Sequence, residues 1–195
     1  MIGAQTLVWR RVAPTWPAMV GAVVAGSALL AIAARIAFPL PFSPVPVTAQ
    51  TFAVLLIGAA LGSRLGAATV IAYLAEGLAG LPVFAGGLSA WSPSSIPGVP
   101  VIVGPTAGYL VGFVVAAGVV GALAERGFDR RFATTLAAML VGNLVIYVFG
   151  LAWLARFVGV ERVVALGLAP FLIGDAVKTV LATLALPSAW KVLGR

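Results

Sequence analysis

Cysteine and histidine are both absent from the 195 residues of this chain. Without cysteine there are no disulfides and no thiolate metal ligands. Without histidine there are no imidazole metal ligands, no Ser-His-Asp triad and no histidine proton relay. The sequence also lacks the G-x-x-x-x-G-K-[ST] phosphate loop, the G-x-S-x-G motif and the H-E-x-x-H motif. We therefore expect neither an enzyme nor a protein that hydrolyses ATP by itself, and we expect no metal and no cofactor.

Charge is scarce as well, since only 9% of the residues are charged while 62% are hydrophobic and the mean hydropathy is +1.15. A soluble domain is typically about 45–50% apolar and about 25% charged. The composition therefore indicates an integral membrane protein in a lipid bilayer. No long polar linker divides it, so we expect a single membrane domain over residues 1–195. The net charge of +7 is spread between apolar segments, which argues against nucleic acid as a partner.

Six apolar segments are candidates for membrane-spanning helices, which need about 20 residues each. The first segment is too long for a cleaved signal peptide, so we expect it to be retained. The second and third segments are short, and Pro187 is expected to end the sixth. The prediction is an all-α protein with six transmembrane helices, which cover about residues 16–38, 48–62, 65–81, 106–123, 132–155 and 163–186.

Two uncharged loops separate these segments. Four prolines between residues 39 and 47 predict a stiff extended loop, called here the proline loop. Residues 82–105 form the longest stretch without helical character, yet they include large apolar side chains such as Phe84 and Trp91. A disordered loop would be more polar, so we predict an ordered lid, called here the lid loop. The alternative is a loop that dips into lipid headgroups.

The basic residues predict an orientation, because cytoplasmic loops carry an excess of lysine and arginine. Six spans put both termini on one side, and we assign that side as cytoplasmic. Both the proline loop and the lid loop then lie outside. The cytoplasmic side carries Arg10, Arg11, Arg64, Arg126, Arg130, Arg131, Lys191 and Arg195, whereas the outer side carries Arg35, Arg156 and Arg162.

The last apolar segment carries an acid and a base three residues apart, Asp175 and Lys178, on one helix face. A charged group at mid-membrane depth costs at least about 2.5 kcal/mol, so it usually faces a partner, a cavity or a ligand. One interpretation is a structural ion pair inside the bundle. The other is a binding site for a polar ligand, and Gly174 would let that ligand approach closely.

Five further polar residues are candidate ligand contacts, and each has a plainer interpretation. Glu76 faces either the same cavity or the solvated interface. Asn143 either contacts the ligand or forms an interhelical hydrogen bond. Thr48 and Gln50 either contact the ligand or cap a helix, and Tyr109 either contacts it or marks the outer interface.

The first segment contains small residues four positions apart, which let helices pack closely. One interpretation is packing inside the bundle, and the other is a docking face for a separate membrane subunit. The small residues concerned are Ala18, Gly21, Ala22, Ala25 and Gly26.

Four short stretches follow one another in the chain: PVPVTAQT at 44–51, GLPVFAGG at 80–87, GPTAGYL at 104–110 and GDxxK at 174–178. In this order they resemble the BioY family, the biotin-specific substrate-binding (S) components of energy-coupling factor transporters. The resemblance implies a six-helix protein in the cytoplasmic membrane of a bacterium or an archaeon. It also implies high-affinity biotin binding near the outer face, and transport powered by a membrane coupling subunit and ATPase subunits.

The resemblance also implies roles for individual residues. Asp175, Lys178 and Glu76 would bind biotin, whose rings suit an apolar cavity edged by Tyr73, Phe84 and Trp91. Lys178 would donate either to the ureido oxygen or to the valerate carboxylate. The small-residue face of the first helix would contact the coupling subunit. Two rival hypotheses stay open: an S component for another vitamin, such as thiamine or riboflavin, and a structural membrane protein with an internal Asp–Lys pair.

Overall fold

The fold is a bundle of helices, seen in a computed structural model that describes residues 15–193. Arg10, Arg11 and Arg195, used above for orientation, lie outside this range. Five of the helices in the described range are long and apolar enough to cross a membrane, and the helix Val160–Gly167 is shorter. A helical membrane protein is therefore confirmed. The helices are α1 Trp16–Arg35, α2 Gln50–Leu78, α3 Ala107–Glu125, α4 Phe132–Val158, α5 Val160–Gly167 and α6 Leu172–Leu193.

Helix α2 is a helical hairpin and not one straight rod. Gly62 interrupts it with φ 83° and ψ 177°, a conformation that favours glycine. A β-carbon built on Gly66 would lie 2.9 Å from Cα of Gly58, whereas these residues would be about 12 Å apart along a straight helix. The chain therefore reverses at Gly62. The two halves, residues 50–61 and 63–78, correspond to the predicted segments 48–62 and 65–81.

The sixth predicted segment, 163–186, begins too early. Its first residues belong to the separate short helix α5, which ends at Gly167, and α6 starts only at Leu172. Hydropathy cannot detect this break because all the residues around it are apolar. Pro170 explains it, since proline lacks an N–H and disfavours helical backbone at the residue before it. As a consequence Asp175 lies in the first turn of α6 and not in the middle of a span.

The prediction that Pro187 ends the last helix is also wrong, because α6 continues to Leu193. A contact beyond the proline stabilises the continuation. Trp190 Nε1 donates to Asp129 Oδ2 at 2.5 Å, and the guanidinium of Arg130 lies 4.8 Å from the Trp190 ring centroid. Asp129, in the α3–α4 loop, is 2% exposed, and this burial raises the pKa of its carboxyl.

The two uncharged loops are tied together at one end of the bundle. Helix α1 ends at Arg35, before the predicted residue 38, because Ala37–Phe38 pairs with Val47–Thr48 as a two-residue antiparallel ribbon around the proline loop. Ser95 Oγ of the lid loop donates to the Pro44 carbonyl at 2.9 Å. The lid loop also contains two short 3-10 turns and backbone hydrogen bonds of its own, such as Ser94 N–H to Val99 O at 2.9 Å.

Helix α3 lies between α2 and α4, and glycines allow the close approach. A β-carbon on Gly58 would lie 2.6 Å from the Ala117 carbonyl oxygen, and one on Gly112 would lie 3.1 Å from Ile146 Cα. One on Gly121 would lie 2.4 Å from the Gly62 carbonyl carbon, at the turn of the α2 hairpin. Since the nearest atoms are backbone, a side chain at Gly121 cannot be accommodated by a rotamer change.

Replacing Gly121 with alanine is expected to lower the free energy of unfolding by about 1–3 kcal/mol, the usual range for overpacking. Gly118→Ala is the matched control, because its β-carbon would meet nothing closer than 3.9 Å and alanine favours the helix. Unfolding of the two purified variants in the same detergent measures the difference. Equal stability of both variants would contradict the close contact between α3 and the α2 turn.

Candidate functional site

A cavity of about 390 Å³ opens at the end of the bundle where the proline loop meets the lid loop. Its walls are mainly apolar, with Phe84, Phe113 and Phe171 among them. Helices α2, α4 and α6 contribute one or two polar side chains each to one side, and hydroxyl groups line other parts of the cavity. A largely apolar pocket with a few converging polar groups is the usual form of a small-molecule site. The polar residues from these three helices are Gln50, Thr51, Tyr147, Asp175 and Lys178.

Asp175 and Lys178 form an ion pair on this wall, with Nζ 2.9 Å from Oδ1. The side chains are 8% and 19% exposed, respectively. Lys178 Nζ also donates to the Thr48 backbone carbonyl at 2.7 Å and to Thr51 Oγ1 at 3.0 Å. An ammonium group has three N–H donors, so the protein alone occupies all three.

The Asp175 carboxylate has three partners of its own. Oδ1 accepts from Lys178 Nζ and from Thr51 Oγ1 at 3.1 Å, and Oδ2 accepts from the Tyr147 hydroxyl. The position of Asp175 in the first turn of α6 also favours a negative charge, because the helix dipole is positive there. The wall therefore holds a carboxylate that is fixed in place and faces the cavity.

Tyr147 and Thr51 belong to this wall although sequence analysis did not single them out. Tyr147 lies four residues after Asn143 on α4, so both share a helix face. Thr51 lies next to Gln50, at the start of α2. Tyr147 could have been predicted from the sequence, because it lies one helical turn from the candidate residue Asn143. Nothing in the sequence alone shows that Thr51 faces the ion pair.

Gln50, Tyr73 and Phe84 connect the cavity wall to the lid loop. Gln50 lines the cavity, and its Nε2 donates to the Tyr73 hydroxyl at 2.8 Å. That hydroxyl donates to the Val83 carbonyl at 3.0 Å, and the Tyr73 and Phe84 ring centroids are 5.4 Å apart. Phe84 lines the cavity, whereas Tyr73 does not and supports it from behind. Gly77 makes room for the Phe84 ring, since a β-carbon there would lie 2.3 Å from Cζ.

Thr48 and Tyr109 also line the cavity, although their hydroxyls bond within the protein. Thr48 Oγ1 accepts from the Gln50 backbone N–H at 3.3 Å, at the beginning of α2. The Tyr109 hydroxyl donates to the Gly167 carbonyl at 2.7 Å, so only its ring is available to the cavity.

Glu76, Asn143 and Trp91 do not line the cavity. Glu76 lies on the side of α2 that faces α1, and its carboxylate accepts from the Ser27 hydroxyl. Asn143 donates to Thr179 Oγ1 at 3.0 Å, one turn of α4 away from Tyr147. Trp91 is 63% exposed, and its Nε1 donates to the Leu78 carbonyl. The helix faces of Glu76 and Asn143 thus point to neighbouring helices.

The small residues of α1 divide into two rows. Ala18 and Ala22 are partly buried and Gly26 is buried. A β-carbon on Gly26 would lie 2.6 Å from Thr69 Cγ2 of α2. Gly21 and Ala25 are exposed, and nothing lies within 4 Å of a β-carbon on Gly21. The row of Ala18, Ala22 and Gly26 therefore packs inside the bundle. The row of Gly21 and Ala25, called here the open row, is exposed on the surface.

Comparison with known proteins gives consistent matches over most of the chain. A sequence model described as the BioY family matches residues 11–195. A probable biotin transporter BioY of Pyrococcus horikoshii is 39% identical over 157 residues, which cover 80% of this chain and 86% of that protein. The biotin transporter BioY of Thermotoga maritima is 38% identical over 159 residues, which cover 81% and 87%.

The fold is also similar to a solved structure, described as the S-component for biotin from an ECF-type ABC transporter. The TM-score is 0.73, and the likeness covers 92% of this chain and 95% of that chain. At 23% sequence identity, this likeness concerns the fold. The family match and the identity to the curated relatives confirm the resemblance that the four short stretches predict. The chain belongs to the BioY family.

Proposed function

We propose that this chain is a high-affinity biotin-binding S component of a vitamin uptake transporter in the cytoplasmic membrane. The carrying observation is the fixed carboxylate of Asp175 on one wall of an otherwise apolar cavity of about 390 Å³. Biotin offers two ureido N–H donors, a ureido carbonyl and an apolar bicyclic body. Asp175 accepts from a ureido N–H, while Phe84, Phe113, Tyr109 and Phe171 surround the rings.

Six membrane crossings follow from counting the two halves of the α2 hairpin separately. With both termini cytoplasmic, the kink at Gly62, the α3–α4 loop and the end of α6 lie inside, and the cavity opens to the outside. Arg64, Arg126, Arg130, Arg131 and Lys191 lie on the cytoplasmic side of this arrangement, as the positive-inside rule favours. Biotin would then enter between the proline loop and the lid loop.

Energy would come from partner subunits, since the sequence has no phosphate loop. A membrane coupling subunit and ATPase subunits are the partners that the family resemblance implies. We place the coupling subunit against the open row of α1, Gly21 and Ala25, because small residues allow close helix contact. The row of Ala18, Ala22 and Gly26 serves mainly the packing of α1 on α2.

Asp175→Asn and Lys178→Met are expected to weaken biotin binding by at least about tenfold, because each breaks a charge-assisted hydrogen bond in the fixed network. Calorimetric titration of biotin into the purified variants measures the change, with thiamine and riboflavin as competing ligands. Glu161→Gln, an exposed acidic residue on α5, is the control. Unchanged biotin binding by folded Asp175→Asn protein would exclude the site, and preference for another vitamin would reassign the ligand.

Tyr147→Phe is expected to weaken biotin binding by about tenfold, because Asp175 loses the hydroxyl that orients its Oδ2. Tyr109→Phe is the matched control, since that hydroxyl donates to the Gly167 carbonyl and not toward the cavity. The control should bind biotin normally and lose about 1 kcal/mol of stability. Titration and thermal unfolding of both variants test this, and the reverse pattern would remove Tyr147 from the site.

Gly21→Leu and Ala25→Leu are expected to leave biotin binding intact and to reduce uptake several-fold, because a bulky side chain would separate α1 from the coupling subunit. Gly26→Leu is the comparison, because its side chain would collide with Thr69 and lower stability. Uptake of labelled biotin by cells that express the complete transporter is measured beside binding to the purified variants. Normal uptake by both leucine variants would exclude this docking face.

A further inference from the structure

Residues 82–88 of the lid loop form a turn, called here the Phe84 turn, that carries part of the cavity wall. Phe84 and Leu88 are among its residues that line the cavity. The Phe84 N–H donates to the Leu88 carbonyl at 2.8 Å, and the Gly87 N–H donates to the Phe84 carbonyl at 2.9 Å. These bonds hold the residues of the turn relative to one another. The position of the whole turn therefore decides how this side of the cavity closes.

Two helices hold the start of the Phe84 turn through consecutive carbonyl groups. Tyr73 of α2 donates to the Val83 carbonyl at 3.0 Å, and Arg35 Nη2 of α1 donates to the Pro82 carbonyl at 2.8 Å. Tyr73 is fully buried, so its contact belongs to the core. Arg35 is exposed and does not line the cavity. Any effect of Arg35 on a ligand would therefore act through the turn that it holds.

The guanidinium of Arg35 also packs directly on the Phe84 turn. A β-carbon on Gly87 would lie 2.5 Å from Arg35 Nη1 and 3.2 Å from its Cζ. Gly87 has φ 80°, in the left-handed region that favours glycine, and its missing side chain leaves room for the guanidinium. Residues 82–105 contain no charged residue, so Arg35 supplies the charge at this contact. A hydrogen bond and close packing thus connect α1 to the turn.

Arg35 lies where three parts of the loop end meet. It is the last residue of α1, and the ribbon around the proline loop begins two residues later, at Ala37. Ala37 pairs with Thr48, just before α2. The side chain of Arg35 therefore attaches the lid loop to the same point from which the proline loop starts.

We propose that Arg35 is a positioning residue for ligand retention, which holds the Phe84 turn in place over the cavity. This inference rests on the proposed function for the identity of the ligand. Without the guanidinium, the turn would keep its internal hydrogen bonds and its contact with Tyr73 but lose its attachment to α1. The cavity would then open more often at this turn, and a bound ligand would leave faster.

The first test measures the turn itself and needs no ligand. In Arg35→Met protein the backbone amides of residues 83–88 are expected to exchange hydrogen for deuterium at least about threefold faster, because the turn loses a hydrogen bond. Exchange in α3 should not change. Arg162→Met, at an exposed arginine of α5, is the control. Unchanged exchange in the turn, or equally faster exchange throughout the bundle, would overturn the proposal.

The second test measures ligand retention by the purified full chain. Labelled biotin, chased with excess unlabelled biotin, is expected to dissociate about three- to tenfold faster from Arg35→Met protein. Arg35→Lys should restore the rate to within about twofold, because an ammonium group can still donate to the Pro82 carbonyl. Unchanged dissociation from the methionine variant, or equally fast dissociation from the lysine variant, would overturn the proposal. If the unmodified chain does not bind biotin, the proposed function fails, and amide exchange alone decides the role of Arg35.

A third comparison displaces the guanidinium without replacing Arg35. Gly87→Ala places a methyl group against Nη1, so the guanidinium has to move. Gly80→Ala is the matched control, because Gly80 also has a positive φ, 93°, but nothing lies within 4 Å of its β-carbon. Biotin should dissociate at least about threefold faster from the Gly87 variant than from the Gly80 variant. Equal rates would contradict the proposal, since backbone strain alone would then explain both.

Discussion

The need to satisfy a buried carboxylate and a buried ammonium organises this end of the bundle. Isolated charges in an apolar interior are costly unless they are paired and hydrogen-bonded. Asp175 and Lys178 meet this requirement with partners from α4, from the start of α2 and from the residues just before it. A shift of any of these segments would break a hydrogen bond to one of the two charges, so the pair favours one arrangement of the segments and thereby of the cavity wall.

The loops above the cavity have no charged groups to pair, but their backbone groups also need hydrogen-bond partners. Backbone N–H and C=O groups need partners wherever water is excluded. The lid loop provides many of them internally, and Trp153 Nε1 donates to its Gly104 carbonyl at 2.9 Å. Proline removes N–H groups that would otherwise need acceptors. The lid loop is therefore ordered largely by hydrogen bonds of its own backbone.

Hydropathy could predict the helical membrane fold and the Asp175–Lys178 pair. Long apolar segments, and charged residues within them, can be recognised from the sequence alone. It could not predict the start of α6, because the turn between Gly167 and Leu172 is as apolar as the helices on either side of it. Nor could it predict that Glu76 meets Ser27 while Tyr147 meets Asp175. Helices that are apolar on all sides carry little information about their rotation, which is set by packing and by hydrogen-bond partners.

The charged groups of the polar wall are hydrogen-bonded by the protein itself, and this has a consequence for affinity. Lys178 neutralises Asp175 and holds it in place, so the carboxylate need not be reoriented when a ligand arrives. Preorganisation reduces the entropy lost on binding. Under the proposed function, Lys178, whose three N–H donors are all occupied, would act as a rigid support for Asp175 and not as a direct contact. The fixed carboxylate would then accept from the ligand with little loss of conformational entropy.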